Sequence, residues 1–155
     1  MIKPPDYLIP SNDTCSVFLA GGISNCHDWQ QDVADQLKEE CPELVVINPR
    51  CDDFDVSDKD ASKRQIAWEY KHLQMADIIS FVFTDETIQP ITLLEFGRWS
   101  YTNKPICVCV YDGYVREEDV MIQLGLARPG VKVHAMEQSL CCDIGNRYRE
   151  WKLAR

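Results

Sequence analysis

The chain has 155 residues, 45% of them hydrophobic, and 25 acidic against 16 basic side chains give a formal net charge of -9. That is enough apolar material for one core and no second domain, and a surface this acidic repels phosphate backbones, which excludes polymeric DNA or RNA as the expected partner. No run approaches the roughly 20 apolar residues that span a bilayer, and the start MIKPPDYLIPSND lacks a basic end followed by an apolar stretch, so a cytoplasmic protein without membrane contact is expected.

Residues 1–14 carry Pro4, Pro5 and Pro10 among polar residues and read as an extended arm, leaving 15–155 as the domain. Cys15–Ala20 is an apolar run closed by Gly21-Gly22, the pattern of a buried first strand and a tight turn. A helix follows, capped by Asp28 or Asn25, with Trp29, Val33 and Leu37 at helical spacing and an end near Cys41-Pro42. Leu44–Ile47 is a second β-branched strand that leaves through Asn48-Pro49-Arg50. The stretch 52–60 holds five aspartates and no apolar periodicity, so it reads as a mobile loop above the strand ends.

Ala61–Met75 reads as a helix with Ile66, Leu73 and its aromatics inward, Asp77–Phe83 as the third strand, and Pro90–Tyr101 as a helix opened by proline. Pro105–Val110 is the fourth strand. A short helix over Glu117–Leu124, an edge strand over Val131–Val133 and an amphipathic helix over Glu137–Lys152 complete the chain. Apolar strands alternating with helices specify βαβ units, hence a doubly wound α/β domain with a mainly parallel five-stranded sheet and helices on both faces. The expected strand order is 2-1-3-4-5, with the site at the carboxyl ends of the strands.

The eight cysteines show no CxxC pair, and Cys15, Cys107 and Cys109 lie inside apolar strand runs, so they read as reduced structural thiols. His27, His72 and His134 are scattered singly, which offers no metal-ligand spacing. Gly21-Gly22-Ile23 lets backbone N–H groups approach a ligand at the first helix, or is a plain structural turn. Glu95, inside Thr92-Leu-Leu-Glu-Phe-Gly97, is a carboxylate amid apolar neighbours; if buried it would carry a raised pKa and suit attack at a sugar carbon, and otherwise it faces solvent. Asp77, at the start of a buried strand, reads either as an acid in the site or as a helix-to-strand cap, and Glu69 has the same two readings.

Taken in order, Phe18-Leu-Ala-Gly-Gly-Ile23, Trp29, Asn48-Pro49-Arg50, Gln65-Ile-Ala-Trp-Glu69, Ala76-Asp77 and Thr92-Leu-Leu-Glu-Phe-Gly97 resemble the nucleoside 2-deoxyribosyltransferase family, in its divergent transferase-like branch. The resemblance implies a flavodoxin-like fold, a covalent glycosyl-glutamate intermediate on Glu95 and no metal or organic cofactor. It also implies that Asp77 handles the leaving base and that Gly21, Gly22, Ile23, Trp29, Asn48, Arg50 and Glu69 surround a nucleoside or nucleobase. Family members assemble as homo-oligomers in which one subunit completes the next one's pocket, a contact that Tyr148 and Trp151 would serve unless their helix packs on its own sheet.

Two departures bear on activity: well-studied members of the family it resembles carry an aspartate six positions before the nucleophile, where this chain has Gln89, and an asparagine from a neighbouring subunit, for which the nearest candidate is Asp119. A Gln89 amide can both donate to and accept from a base edge. A nucleotide substrate would call on Arg50, Arg98 or Arg116 for its phosphate. The competing functions are therefore a nucleoside or nucleotide N-glycosidase and a non-catalytic nucleotide-binding module.

Overall fold

A computed structural model describes every residue except Asp52, Asp53 and Val56. The elements are β1 (Ser16–Gly21), α1 (Trp29–Glu40), β2 (Val45–Ile47), α2 (Ala61–Met75), β3 (Ile78–Phe83), α3 (Pro90–Ser100), β4 (Ile106–Val110), α4 (Glu117–Ala127), β5 (Val133–His134) and α5 (Glu137–Leu153). The strands form one parallel sheet in the order β2-β1-β3-β4-β5. This is the expected doubly wound topology. The interior strands β1, β3 and β4 are buried almost throughout, as the unbroken apolar runs require of strands covered on both faces.

Alternating strand residues feed two cores. Val17, Leu19, Val82, Cys107 and Cys109 pack against Trp29, Val33 and Leu37 of α1 and Leu140, Cys141 and Ile144 of α5. Phe18, Phe81, Phe83, Ile106 and Val108 pack against Trp68 and Leu73 of α2, Phe96 of α3, and Val120 and Leu124 of α4. Tyr148 belongs to the first core at 6% exposure, so α5 packs on its own sheet rather than offering that ring to a second subunit. The strand cysteines behave as small hydrophobes: burial pushes the Cys15 and Cys109 thiols up to about 12.

Several boundaries differ from the sequence reading. Asp77 precedes β3 rather than opening it, α4 runs three residues past Leu124, and the edge strand is Val133–His134. Asp28, not Asn25, caps α1 by accepting from the Gln31 N–H, while Asn25 takes a left-handed conformation with φ 57°. Ile66 and Tyr70 are exposed, not inward, because α2 docks through Ala61, Trp68, His72 and Leu73. Asp52, Asp53 and Val56, in the loop expected above the strand ends, lie outside the described residues.

The arm is a strap rather than a free end. Ile2 bridges to Ile47 beside β2, donating to the Val46 carbonyl at 2.8 Å and accepting from Asn48 N–H at 2.9 Å. Farther on, Trp68 Nε1 donates to the Asp6 carbonyl and Leu8 N–H donates to His72 Nε2 at 3.1 Å. His72 is fully buried and its other nitrogen donates to the Trp68 carbonyl at 2.7 Å, which assigns a neutral ring. No helix among the described residues is long and apolar enough to cross a membrane.

Candidate active site

A cleft of about 690 Å³ opens at the carboxyl ends of β1, β2 and β3. Its floor is the Gly21–Asn25 turn, one wall is the α2 stripe Ser62, Gln65, Ile66 and Glu69, and the other is Thr87–Thr92 with Glu95. The α2 residues recur at i, i+3, i+4 and i+7, one helical face. On α3, Thr92 and Glu95 share a face by the same rule, with Phe96 turned into the core. Two helices thus present Glu69 and Glu95 to one space.

Both carboxyls are half-buried and both are held above the usual carboxylate range. For Glu95 the cause is burial first and the Glu69 charge second, with Arg98 opposing, and the result is a pKa of about 8. Glu69 is raised by burial and pulled back by Gln65, whose Nε2 donates to it at 2.6 Å and to the Pro49 carbonyl at 2.7 Å. With its pKa at about 8, Glu95 holds its proton near neutrality, beside a second carboxyl on Glu69 that burial also pushes up. Such a pair supplies one nucleophile and one acid.

The glycine turn does not offer its amides to a ligand at Gly22. The Gly22 carbonyl accepts from Trp29 Nε1 at 3.0 Å and Gln30 Nε2 at 3.1 Å, and its N–H donates to Gln89 Oε1 at 2.9 Å. Gly21 has to be glycine, because a Cβ there would lie 2.4 Å from the Trp29 ring and 2.6 Å from the Val82 carbonyl. Gly21, Gly22 and Ile23 line the cleft, whereas Trp29 is fully buried and supports the turn from below.

The remaining expected residues separate. Asp77 sits at the amino end of the sheet, where its carboxylate accepts from Ser16 N–H and Ser16 Oγ, both at 2.9 Å. It is a strap between β1 and β3 at the end opposite the cleft, which corrects its assignment to the leaving base. Asn48 is buried and accepts from Arg50 N–H at 2.9 Å, fixing the exit from β2 outside the cleft. Arg50 is spent on the β1–α1 loop: it donates to Gln30 Oε1 at 2.8 Å and the His27 carbonyl at 2.6 Å, and pairs with Asp28 at 2.9 Å. Gln89 lines the cleft, but both hydrogens of its amide go to Thr84 and its Oε1 accepts from Gly22 N–H, so the expected donation to a base edge is not available from it.

Asp119 pairs with Arg116 at 3.4 Å and lines a separate apolar groove of about 230 Å³ between α3 and α4. Arg98 lies over the Tyr70 ring, 5.3 Å from its centroid. The sequence reading left out Gln65, Ser62 and Thr92; the α2 face shared with Glu69 is the signal that reveals the first two. The histidines are apart: His72 under the arm, His134 paired with Asp143, and His27 on Glu86, with burial pulling the His27 pKa down but that carboxylate and Glu137 winning and raising it.

Among solved structures, a conserved protein from Enterococcus faecalis V583 shares this fold with a TM-score of 0.67 at 15% identity, over 86% of this chain and 99% of that one. No curated protein sequence matches significantly. The family described as nucleoside 2-deoxyribosyltransferase like matches residues 14–114, a span that runs from β1 through β4 and carries the glycine turn, Glu69, Gln89 and Glu95. That span is well over half of the 155 residues, and the chain belongs to the nucleoside 2-deoxyribosyltransferase-like family.

Proposed function

We propose that this protein cleaves or exchanges the N-glycosidic bond of a nucleoside, with Glu95 as nucleophile and Glu69 as the acid that serves the base. The observation that carries the reading is the pairing of these two carboxyls in one cleft with apolar walls. The reactive form is the minor one in which Glu95 is ionised and Glu69 is protonated. The Glu95 carboxylate attacks the anomeric carbon through an oxocarbenium-like transition state, the bond to the base nitrogen breaks, and Glu69 delivers its proton to that nitrogen. A second base, or water, then attacks the glycosyl ester; Glu69 takes its proton and Glu95 leaves as carboxylate.

An unphosphorylated nucleoside is favoured over a nucleotide. Among the described residues no lysine, arginine or histidine lines the cleft, and Arg50, Arg98 and Arg116 are engaged elsewhere. A phosphate there would face the Glu69 and Glu95 carboxyls, with Arg98 felt by Glu95 but outside the cleft lining.

Incubation with a panel of deoxyribonucleosides, with and without a second free base, followed by chromatography, tests the proposal. New nucleosides that vanish in Glu95→Ala establish exchange, and free base alone establishes hydrolysis. Absence of product from every nucleoside refutes both in favour of a binding module.

A further inference from the structure

Gln89 occupies a left-handed backbone conformation, φ 50° and ψ 58°, immediately before α3. Residues with an ordinary side chain rarely adopt it, so the surrounding contacts have to hold it there. They are all on its own side chain and carbonyl. Oε1 accepts from Gly22 N–H at 2.9 Å, and Nε2 donates to the Thr84 carbonyl and to Thr84 Oγ1, each at 2.9 Å. A primary amide has two hydrogens, so the donor capacity is exhausted, and the residue is 5% exposed. The Gln89 carbonyl accepts from Leu93 N–H at 3.1 Å, in the first turn of the helix that carries Glu95.

Three segments meet on this side chain: the turn after β1, the end of β3 and the start of α3. The β1 turn is itself anchored on its other side by Trp29 and Gln30. We infer that Gln89 is a positioning residue, which clamps the Glu95 helix to the glycine turn and does not read the nucleobase. This rests on Glu95 being the nucleophile. Gln89 is therefore a structural clamp, and base preference has to come from other residues of the cleft.

The test compares wild type, Gln89→Met and Gln89→Glu on one purine and one pyrimidine deoxyribonucleoside, together with hydrogen exchange of the Gly22 amide. Methionine keeps the length and loses every polar contact; glutamate keeps the acceptor for Gly22 N–H and, when protonated, one donor toward Thr84. The expected result for Gln89→Met is a fall in kcat of about ten- to a hundredfold by the same factor for both bases, KM within about threefold, and faster Gly22 exchange. Gln89→Glu should recover part of the kcat, and it carries the test alone if the methionine variant does not fold. A change in the purine-to-pyrimidine ratio of about tenfold or more, or kcat left intact, overturns the inference. Unaltered Gly22 exchange overturns the clamp itself, whereas a wild type without turnover overturns the functional reading and the catalytic part of this one, so the two failures are told apart.

Discussion

Glu69→Gln removes the like charge beside Glu95 while keeping the shape of the side chain and an oxygen for Gln65 to donate to. Glu95 stands at about 8, driven by burial first and by Glu69 second, so only about a tenth of it is ionised at pH 7. Burial survives the substitution; the repulsion does not. A neighbouring carboxylate in a partly buried site is worth on the order of one pKa unit or more, so the acid limb of nucleophile-dependent steps should move about one unit toward lower pH. At pH 6, well below either value, a one-unit fall means about ten times more ionised Glu95.

The same substitution deletes the proton donor. For an ordinary purine nucleoside, loss of general acid catalysis costs about a hundred- to ten-thousandfold and outweighs the gain. For a nucleoside whose base is joined through a cationic pyridinium nitrogen, no proton is needed on departure and only the gain remains. The assay is the rate of glycosyl-enzyme formation, followed by intact mass after acid quench, for both substrates from pH 5 to 9. Glu69→Gln should be slower than wild type on the purine nucleoside and about tenfold faster at pH 6 on the pyridinium nucleoside. The same sign on both, or an acid limb that stays in place, refutes the pairing of roles.

Stability should report the buried pair directly: because the folded Glu95 pKa lies above its unfolded value near 4.5, the folded state holds the extra proton, and wild type should lose up to roughly a few kcal/mol between pH 4.5 and 8. Urea titrations of Glu95→Gln should be flatter across that window. His72 works in the other direction: burial holds its pKa down, so the unfolded chain takes up a proton that the fold excludes, and stability should fall as pH drops below about 6.5. His72→Gln should flatten that slope. Gly21→Ala should lower stability by about 2–4 kcal/mol, a fall of about 4–16 °C in Tm by calorimetry, since Trp29 and the Val82 backbone cannot both retreat; a Tm within a degree of wild type would count against the close approach.

The fold was legible because it is written in run lengths: Cys15–Ala20, Leu44–Ile47, Asp77–Phe83 and Pro105–Val110 are too apolar and too short for anything but covered strands, and the helices between them fix parallel pairing. Glu95 was legible as a carboxylate among apolar neighbours. Asp77 was misplaced for a reason the sequence already contained. In a parallel sheet the residue before a strand lies at the end opposite the ligand crevice, so an acid at 77 ahead of Ile78 belongs with Ser16 and not with Glu95. Gln89 and Arg50 were illegible: whether an amide or guanidinium is spent inside the protein depends on loop backbones, here a left-handed Gln89 and the turn after Asn48, that no periodicity encodes.

The surroundings of the acid pair connect these points. Ile66, Ile88, Ile91 and Phe54 line the cleft yet are 66%, 48%, 61% and 42% exposed, an apolar rim left uncovered around two carboxyls. A planar base laid against that rim removes water from the space the carboxyls share. The desolvation favours the neutral form of whichever acid it covers. Binding would then help set the protonation state that the chemistry needs, with the proton on Glu69 and the charge on Glu95 facing the sugar. On this argument Ile66→Ser, which strips apolar cover without touching either acid, should raise KM and also slow base departure, and a change in KM alone would show that the rim only holds the substrate.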